Sequence, residues 1–339
     1  MTPCRIVSSL LPLVALSMLV AACGNSSSGS GGGSSSAAPP ASSADFPSPK
    51  GKSLLQLKAG LGPGPVLAPT VSIVNPGRDR YGFGLFDRAR KQIAQAPVAL
   101  YVERSGSSKV SGPFLARDLP LDVKPAYQSE TVAKDPTAAK SLYVTTLKVK
   151  KPGDYAVLGV AKLDGRLVAT DPTYMGVGKP SEVPRVGQQA PVIDTPTAQS
   201  VGGDVSKIDT RVPPDSMHDV NFADVVGKKP VVLVFATPAL CQSRVCGPVV
   251  DIAEEVKAED KGKAAFIHME IYNGNKIGQG CLDGTRLQNQ CLRPQVVAYH
   301  LPTEPWAFAI DRRGKIVARL EGAYSHDELA AAVRLAETH

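Results

Sequence analysis

The sequence predicts an all-β domain followed by an α/β domain, and three observations carry that reading. From about Val66 to Val177, short apolar segments recur between Gly and Pro punctuation, the pattern of a β-sandwich over residues 66–178. A Pro-rich stretch, Lys179-Pro-Ser-Glu-Val-Pro184, then marks a linker. Over residues 185–339 strand and helix signals alternate, which argues for α/β. The 339 residues have room for two ordinary domains, and 43% hydrophobic content suits globular folding. A net charge of +7 is spread along the chain with few aromatics between the basic residues, which argues against nucleic-acid binding.

The N-terminus reads as a targeting segment. Arg5 is the only charge before an apolar stretch from Ile6 to Val20, and Leu19-Val20-Ala21-Ala22-Cys23 follows. The run has the length of a signal-peptide core and is short for a membrane span. Small residues before the cysteine resemble the lipobox of a bacterial lipoprotein. That resemblance implies cleavage after Ala22 and a diacylglyceryl group on Cys23, hence a lipid anchor on the extracytoplasmic face of the cell membrane. The alternative is a plain signal peptide with an incidental cysteine. Residues 23–65 are expected to be a disordered tether, because the Gly/Ser/Ala/Pro run from 24 to about 46 cannot offset its ordering entropy.

Within the first domain the expected strands are Thr70–Val74, Tyr81–Phe86, Val98–Glu103, Phe114–Arg117, Leu142–Val149, Tyr155–Leu163 and Arg166–Thr170. Asp164-Gly165 suits a hairpin turn, since both residues accept positive φ. A short helix is expected near Asp87–Gln95. Pro152-Gly153-Asp154-Tyr155 resembles the tyrosine corner of immunoglobulin-like domains. This domain has no histidine or cysteine and only one methionine, Met175, which argues against a copper or zinc site built from its own soft ligands. It reads as a binding or spacing module.

In the second domain, Val231–Phe235 reads as a buried strand, and Cys241 and Cys246 follow it. Val249, Ile252, Ala253 and Val256 then keep helical spacing. A thiol at a strand-to-helix junction lies at the positive end of a helix dipole, which favours the nucleophilic thiolate. With Cys4 removed and Cys23 lipidated, four cysteines remain and allow three connectivities. Local pairing is expected, Cys241 with Cys246 and Cys281 with Cys291. The second pair reads as a structural staple rather than a redox relay.

Gly187-Gln-Gln-Ala190-Pro191 and Asp224-Val-Val-Gly227-Lys228 before the Val231 strand resemble the motifs of thioredoxin-fold redoxin and TlpA-like proteins. The likeness runs from about Arg185 onward, interrupted by an insertion near Thr195–His218. It implies a cis Glu304–Pro305 bond, with Pro305 facing the sulfurs and shaping a partner groove. The remaining elements fit: a strand over Ala264–Tyr272, another over Thr303–Ile310, a hairpin turn at Asp311–Gly314 into Lys315–Leu320, and a capping box at Ser325–Glu328 opening a final helix. Three departures stand out. Four residues separate the cysteines, Leu240 replaces the usual tryptophan, and Leu233 stands where a buried acid is usual.

The resemblance implies thiol–disulfide exchange in the cell envelope. Cys241 attacks a partner disulfide and Cys246 resolves the mixed disulfide, with a redox partner protein and no dissociable cofactor. The non-catalytic alternative is a redoxin-fold binding lipoprotein whose disulfides are structural. A peroxiredoxin-like peroxidase is less well matched, because Pro238 holds the place of the threonine in T-x-x-C and Thr237 lies one residue too early. An Sco-like Cu(I) site would need His300 to join the two cysteines. His268 and Glu270 alternate on one strand face, as a sheet-end pair or an acid/base dyad. Arg244 lies close enough in sequence to lower the Cys241 pKa, and Trp306 reads as packing beneath the site.

Overall fold

The computed structural model describes residues 42–281 and 287–339. The signal segment, Cys23 and the start of the tether lie outside the described residues. The tether ends sooner than expected. Helix α1 (Leu54–Ala59) is capped at Ser53 in a reciprocal box with Gln56. Phe46, Leu54 and Leu57 pack against Ala99, Tyr101, Leu158 and Val160. These apolar side chains bury enough surface to order a segment whose neighbours are polar.

Among the described residues the first domain has nine strands: β1 (Gly62–Pro63), β2 (Val66–Pro69), β3 (Gly77–Phe86), β4 (Val98–Arg104), β5 (Val110–Pro120), β6 (Ser141–Val149), β7 (Gly153–Leu163), β8 (Arg166–Ala169) and β9 (Thr173–Val177). They run in the order β1-β8-β7-β4-β5-β6-β3-β2, with β9 also on β7. The path is continuous because β5 pairs its first part with β4 and its last part with β6. Leu67, Phe83 and Leu85 from one end of this path share a core with Leu100, Val157 and Val177 from the other. The hairpin at Asp164-Gly165 has positive φ at both residues, as its type I′ character requires. The Tyr155 hydroxyl donates to the Lys151 carbonyl, four residues upstream, at 2.8 Å.

Two expectations fail here. Asp87–Gln95 forms a turn rather than a helix: the Asp87 carboxylate accepts from the Lys91 amide, and Arg90 and Gln95 have positive φ. Thr70–Val74 is not a strand, because the Ser72 and Ile73 amides donate to the Glu321 carboxylate instead of to a neighbouring strand.

The second domain is a mixed sheet of β10 (Val231–Phe235), β11 (Ala265–Met269), β12 (Trp306–Ile310) and β13 (Ile316–Glu321), ordered β11-β10-β12-β13. β10 and β11 are parallel, while β12 and β13 run antiparallel to their neighbours. Helix α2 (Glu130–Lys134) belongs to the β5–β6 connection; α3 (Phe222–Val225) precedes β10, α4 (Cys246–Asp260) joins β10 to β11, α5 (Gln288–Cys291) and α6 (Pro294–Ala298) lie between β11 and β12, and α7 (His326–Thr338) follows β13. Val232 and Val234 face α4 and α7, with Val249, Ile252, Leu329 and Val333. Val231, Leu233 and Phe235 face the other way, toward Phe222 of α3 and Val296 of α6. Helices on both faces explain why β10 is apolar at every position. Strand, cysteines, helix and the Glu304–Pro305 step into β12 follow one another in the order that the sequence resemblance implies.

A polar seam joins the two domains. Arg80 of β3 donates to both Glu328 oxygens, at 2.7 and 3.0 Å, and to the Ala323 carbonyl at 2.8 Å. Glu321 accepts from Ser72, Ile73 and Thr303. Gly322 sits between them at φ 70°, where a Cβ would overlap the Thr70 carbonyl oxygen.

Gly322→Val is expected to lower stability by about 1–3 kcal/mol from its left-handed backbone alone, with the overlap adding to that loss. Gly227→Val, at φ 76° in open space, is the control. Urea denaturation of both variants measures the difference.

Candidate functional site

Cys241 lies in the loop after β10, and Cys246 opens α4. Their Cα atoms are 5.8 Å apart and the sulfurs are bonded. The loop is wound by local bonds: the Cys241 amide donates to the Thr237 carbonyl at 3.1 Å, and Arg244 turns the chain at φ 60°. α4 has no side-chain N-cap from Val245. The Cys246 amide instead donates to Cys241 Sγ at 3.4 Å, and Ser243 Oγ lies 3.2 Å from the same sulfur. A sulfur in the place of a capping oxygen, at a helix N-terminus, is stabilised as a thiolate once reduced.

Burial is the surprise. Cys241 is only 5% exposed and Cys246 is fully buried. The connection between β5 and β6 covers them: Leu121, Val123 and Ala139 join the cluster that holds both cysteines. The Ala139 amide donates to the Arg244 carbonyl at 3.0 Å, and a Cβ on Gly247 would lie 2.8 Å from Val132 Cγ2. Arg244, expected to act on the thiol, is 3.3 Å from Asp135 Oδ2, so its charge is already engaged.

Pro305 is buried and cis, and precedes Trp306, whose partner on β10 is Phe235. The chain therefore leaves β10 toward Cys241 and enters β12 from Pro305 at the same end of the sheet. Trp306 stacks on Phe308 and donates to the Thr303 carbonyl at 2.9 Å, which is a packing role. Cys281 and Cys291 are bonded, with Cα atoms 5.7 Å apart. His300 lies 3.2 Å from Glu182, and among the described residues it shares no ligand cluster with the cysteines. A cleft of about 660 Å³ lined by Ile73, Lys179, Glu182 and His300 includes neither cysteine.

The sequence insertion proves to be the floor of this region. Arg211 donates to Asp251 of α4 at 2.8 Å, to the Pro213 carbonyl at 2.7 Å and to the Tyr127 carbonyl at 2.7 Å. Asp251 also accepts from the Ser129 amide and hydroxyl. Its burial outweighs these partners and holds its pKa above the ordinary value. Thr210 donates through both amide and hydroxyl to Glu270, and its hydroxyl accepts from the Ala239 amide in the cysteine loop. His268 Nδ1 lies 2.7 Å from Asp215 Oδ2, and Nε2 lies 3.1 Å from the Ala236 carbonyl. Desolvation opposes charge on His268, but Asp215, then Asp209 and Glu270, push its pKa up to about 10. Asp215 is held well below its ordinary range, burial opposing and His268 and His218 prevailing.

His268 and Glu270 thus share a face as expected, but their side-chain partners, Asp215 and Thr210, come from the insertion rather than from each other. Sequence reasoning missed Asp209, Arg211, Asp215 and His218. The available signal was the density of Asp, Arg and His in an otherwise Pro-rich insertion, which ordinary loops do not require.

No protein-family model and no curated protein matches the chain. Solved structures do. A thioredoxin-like superfamily protein, SPOA0173, shares 20% identity over 37% of this chain and 89% of its own, with TM-score 0.29. A thiol:disulfide interchange protein DsbE of Chlorobium tepidum, so described by inference, shares 16% over 45% of this chain and 99% of its own, with TM-score 0.31. A thioredoxin-family thiol:disulfide interchange protein of Chlorobium tepidum TLS shares 15% over 45% and 97%, with TM-score 0.29. At these scores the likeness carries no argument.

Arg211→Met is expected to cost about 3–5 kcal/mol, because it strands a buried carboxylate. Adding Asp251→Leu recovers part of that loss in denaturant unfolding. Glu304, next to Pro305, has its pKa raised by burial, with the Tyr272 hydroxyl opposing. The folded state then binds this proton more tightly than the unfolded state. Its destabilising effect is absent below the unfolded pKa of about 4.3 and grows as pH rises through the folded value. Glu304→Gln should therefore be more stable than wild type at neutral pH, and the two should converge in acid.

Proposed function

We propose that this chain is an envelope thiol–disulfide oxidoreductase whose redox pair is Cys241 and Cys246. The observation that carries the reading is the Cys246 amide directed at Cys241 Sγ from the first turn of α4. In the reduced protein the Cys241 thiolate attacks one sulfur of a partner disulfide. That bond breaks, the partner's other sulfur leaves as a thiolate, and a mixed disulfide forms. Cys246 then loses its proton and attacks Cys241 Sγ, releasing the second partner thiol. The partner is reduced by two electrons and the Cys241–Cys246 disulfide forms; a redox partner protein restores the dithiol. Pro305, at the same end of the sheet, shapes the groove that receives the partner. The chemistry needs no dissociable cofactor.

In this reading Cys23 carries the lipid that tethers the protein to the extracytoplasmic face of the cell membrane. Among the described residues, no helix is long and apolar enough to cross a membrane. The first domain acts as an immunoglobulin-like sandwich that recognises partners or spaces the site from the membrane; the Tyr155 hydroxyl bond to Lys151, that of a tyrosine corner, supports that assignment. Cys281–Cys291 acts as a staple.

Burial favours a second reading. With Cys241 5% exposed beneath the β5–β6 connection, exchange requires that cover to lift, and a disulfide that never opens is a structural one. The protein would then be a redoxin-fold binding lipoprotein.

The Cys241–Cys246 reduction potential, titrated in a Cys281→Ser/Cys291→Ser background, separates the two. Exchange predicts a value between about −120 and −270 mV, and a stable mixed disulfide on Cys241 when Cys246→Ser is mixed with a disulfide-bonded protein. A value well below about −300 mV, with no trapped partner, would sink the catalytic reading.

A further inference from the structure

We propose that Asp209, Asp215, His218 and His268 form a site for one divalent first-row cation, with Zn²⁺ the ion best suited to its donors. The four side chains are buried, and one ligand atom from each lies within 4.8 Å of all the others. Two carboxylate oxygens and two imidazole nitrogens are a donor set that Zn²⁺ accepts in tetrahedral geometry.

His218 is the observation that points to a ligand. It is 2% exposed, and neither ring nitrogen has a hydrogen-bond partner. A buried imidazole with both nitrogens unsatisfied requires an explanation. Its Nε2 is 3.3 Å from Asp215 Oδ1 and 3.5 Å from Asp209 Oδ2, without hydrogen-bond geometry to either. Around an ion with bonds of about 2.0–2.1 Å, the edges of the ligand tetrahedron are about 3.3–3.4 Å. The orphaned nitrogen therefore stands from both carboxylates at the separation that a shared cation sets.

The surroundings of His268, Asp209 and Asp215 match what ligating groups need. His268 Nε2 meets a carbonyl, Ala236 O at 3.1 Å, so it carries a hydrogen and Nδ1 is the atom turned to the carboxylates, 2.7 Å from Asp215 Oδ2 and 3.8 Å from Asp209 Oδ1. A ligating histidine typically donates its other nitrogen in this way. The carboxylates are themselves oriented: Asp209 accepts from the Arg211 and Asp215 amides, both at 2.7 Å, and Asp215 from the Met217 amide at 2.8 Å. With the ion taking the place of the proton on His268 Nδ1, two carboxylates, two neutral imidazoles and one dication sum to zero charge, which removes the burden of burying like charges together. Three ligands come from the insertion and one from β11, so the ion would pin the insertion across the sheet edge beside the strand that leads to Cys241.

A second acidic group provides a control. Glu255, Glu259 and His326 also converge, but the glutamates are already engaged by Lys124 at 2.9 and 2.6 Å and His326 bonds Glu259 at 2.8 Å. That cluster is satisfied without an ion.

The test uses the full-length chain with its disulfides oxidised, so that no thiolate competes. After chelator treatment, Zn²⁺ or Co²⁺ is added back, and bound metal is counted by elemental analysis. The expected result is one Zn²⁺ per chain, a rise in thermal midpoint on loading, and a tetrahedral Co²⁺ visible spectrum. His218→Ala and Asp209→Asn should weaken binding by more than about a hundredfold, beyond the usual loss from outer-shell changes. His326→Ala should bind as wild type does. If a ligand variant does not fold, the Co²⁺ spectrum and stoichiometry of the wild-type chain still decide. Absence of bound metal, an octahedral all-oxygen Co²⁺ spectrum, or equal loss in His326→Ala would overturn the assignment.

Discussion

The buried pair of Arg211 and Asp251 is the constraint on which the rest of the site depends. Arg211 is 6% exposed and Asp251 1% exposed, so each charge requires the other. Asp251 belongs to the helix that Cys246 opens, Arg211 to the insertion, and Tyr127 and Ser129 to the cover from the first domain. A single guanidinium–carboxylate contact therefore fixes three segments that are far apart in sequence. Its hydrogen bonds to the Pro213 and Tyr127 carbonyls use the fork geometry of arginine, which a lysine could not reproduce.

That junction explains why the cysteines are both placed for chemistry and shielded from it. The strand-to-helix turn supplies an amide to Cys241 Sγ, as in any thiol held at a helix N-terminus. The β5–β6 connection, anchored through Ser129 on Asp251, then lies over the pair. Both parts of the chain build this region: the second furnishes the sulfurs and the first covers them. Glu321 and Arg80 hold the domains together at the opposite end of β12 and β13 from the turn at Asp311, so the seam and the cover reinforce each other.

Much of this was legible in the sequence where a signal is local. β10, the cysteine turn, α4, the Asp164-Gly165 hairpin and the Ser325–Glu328 capping box follow from periodicity, turn chemistry and caps acting over a few residues. Even there, the pattern misled where a side chain made a distant contact. Thr70–Val74 has strand composition, but Glu321, about 250 residues away, takes its amides. Asp87–Gln95 looked helical until the Asp87 carboxylate closed a turn. Leu54 and Leu57 lay in a segment classed with the polar tether, and only the face of β4 and β7 gave them a surface to bury against.

The sequence by itself determined the strand-rich first part, the mixed strand-and-helix second part and the cysteines around which any redox chemistry must turn, because these depend on spacing along the chain. Tertiary structure alone decided that Cys241 is buried, that Arg244 is spent on Asp135, and that Asp209, Asp215 and His218 converge on His268. The physical reason is the same in each case. Burial and charge pairing are properties of neighbours in space, and the insertion's partners lie on a strand and a helix that no local pattern names.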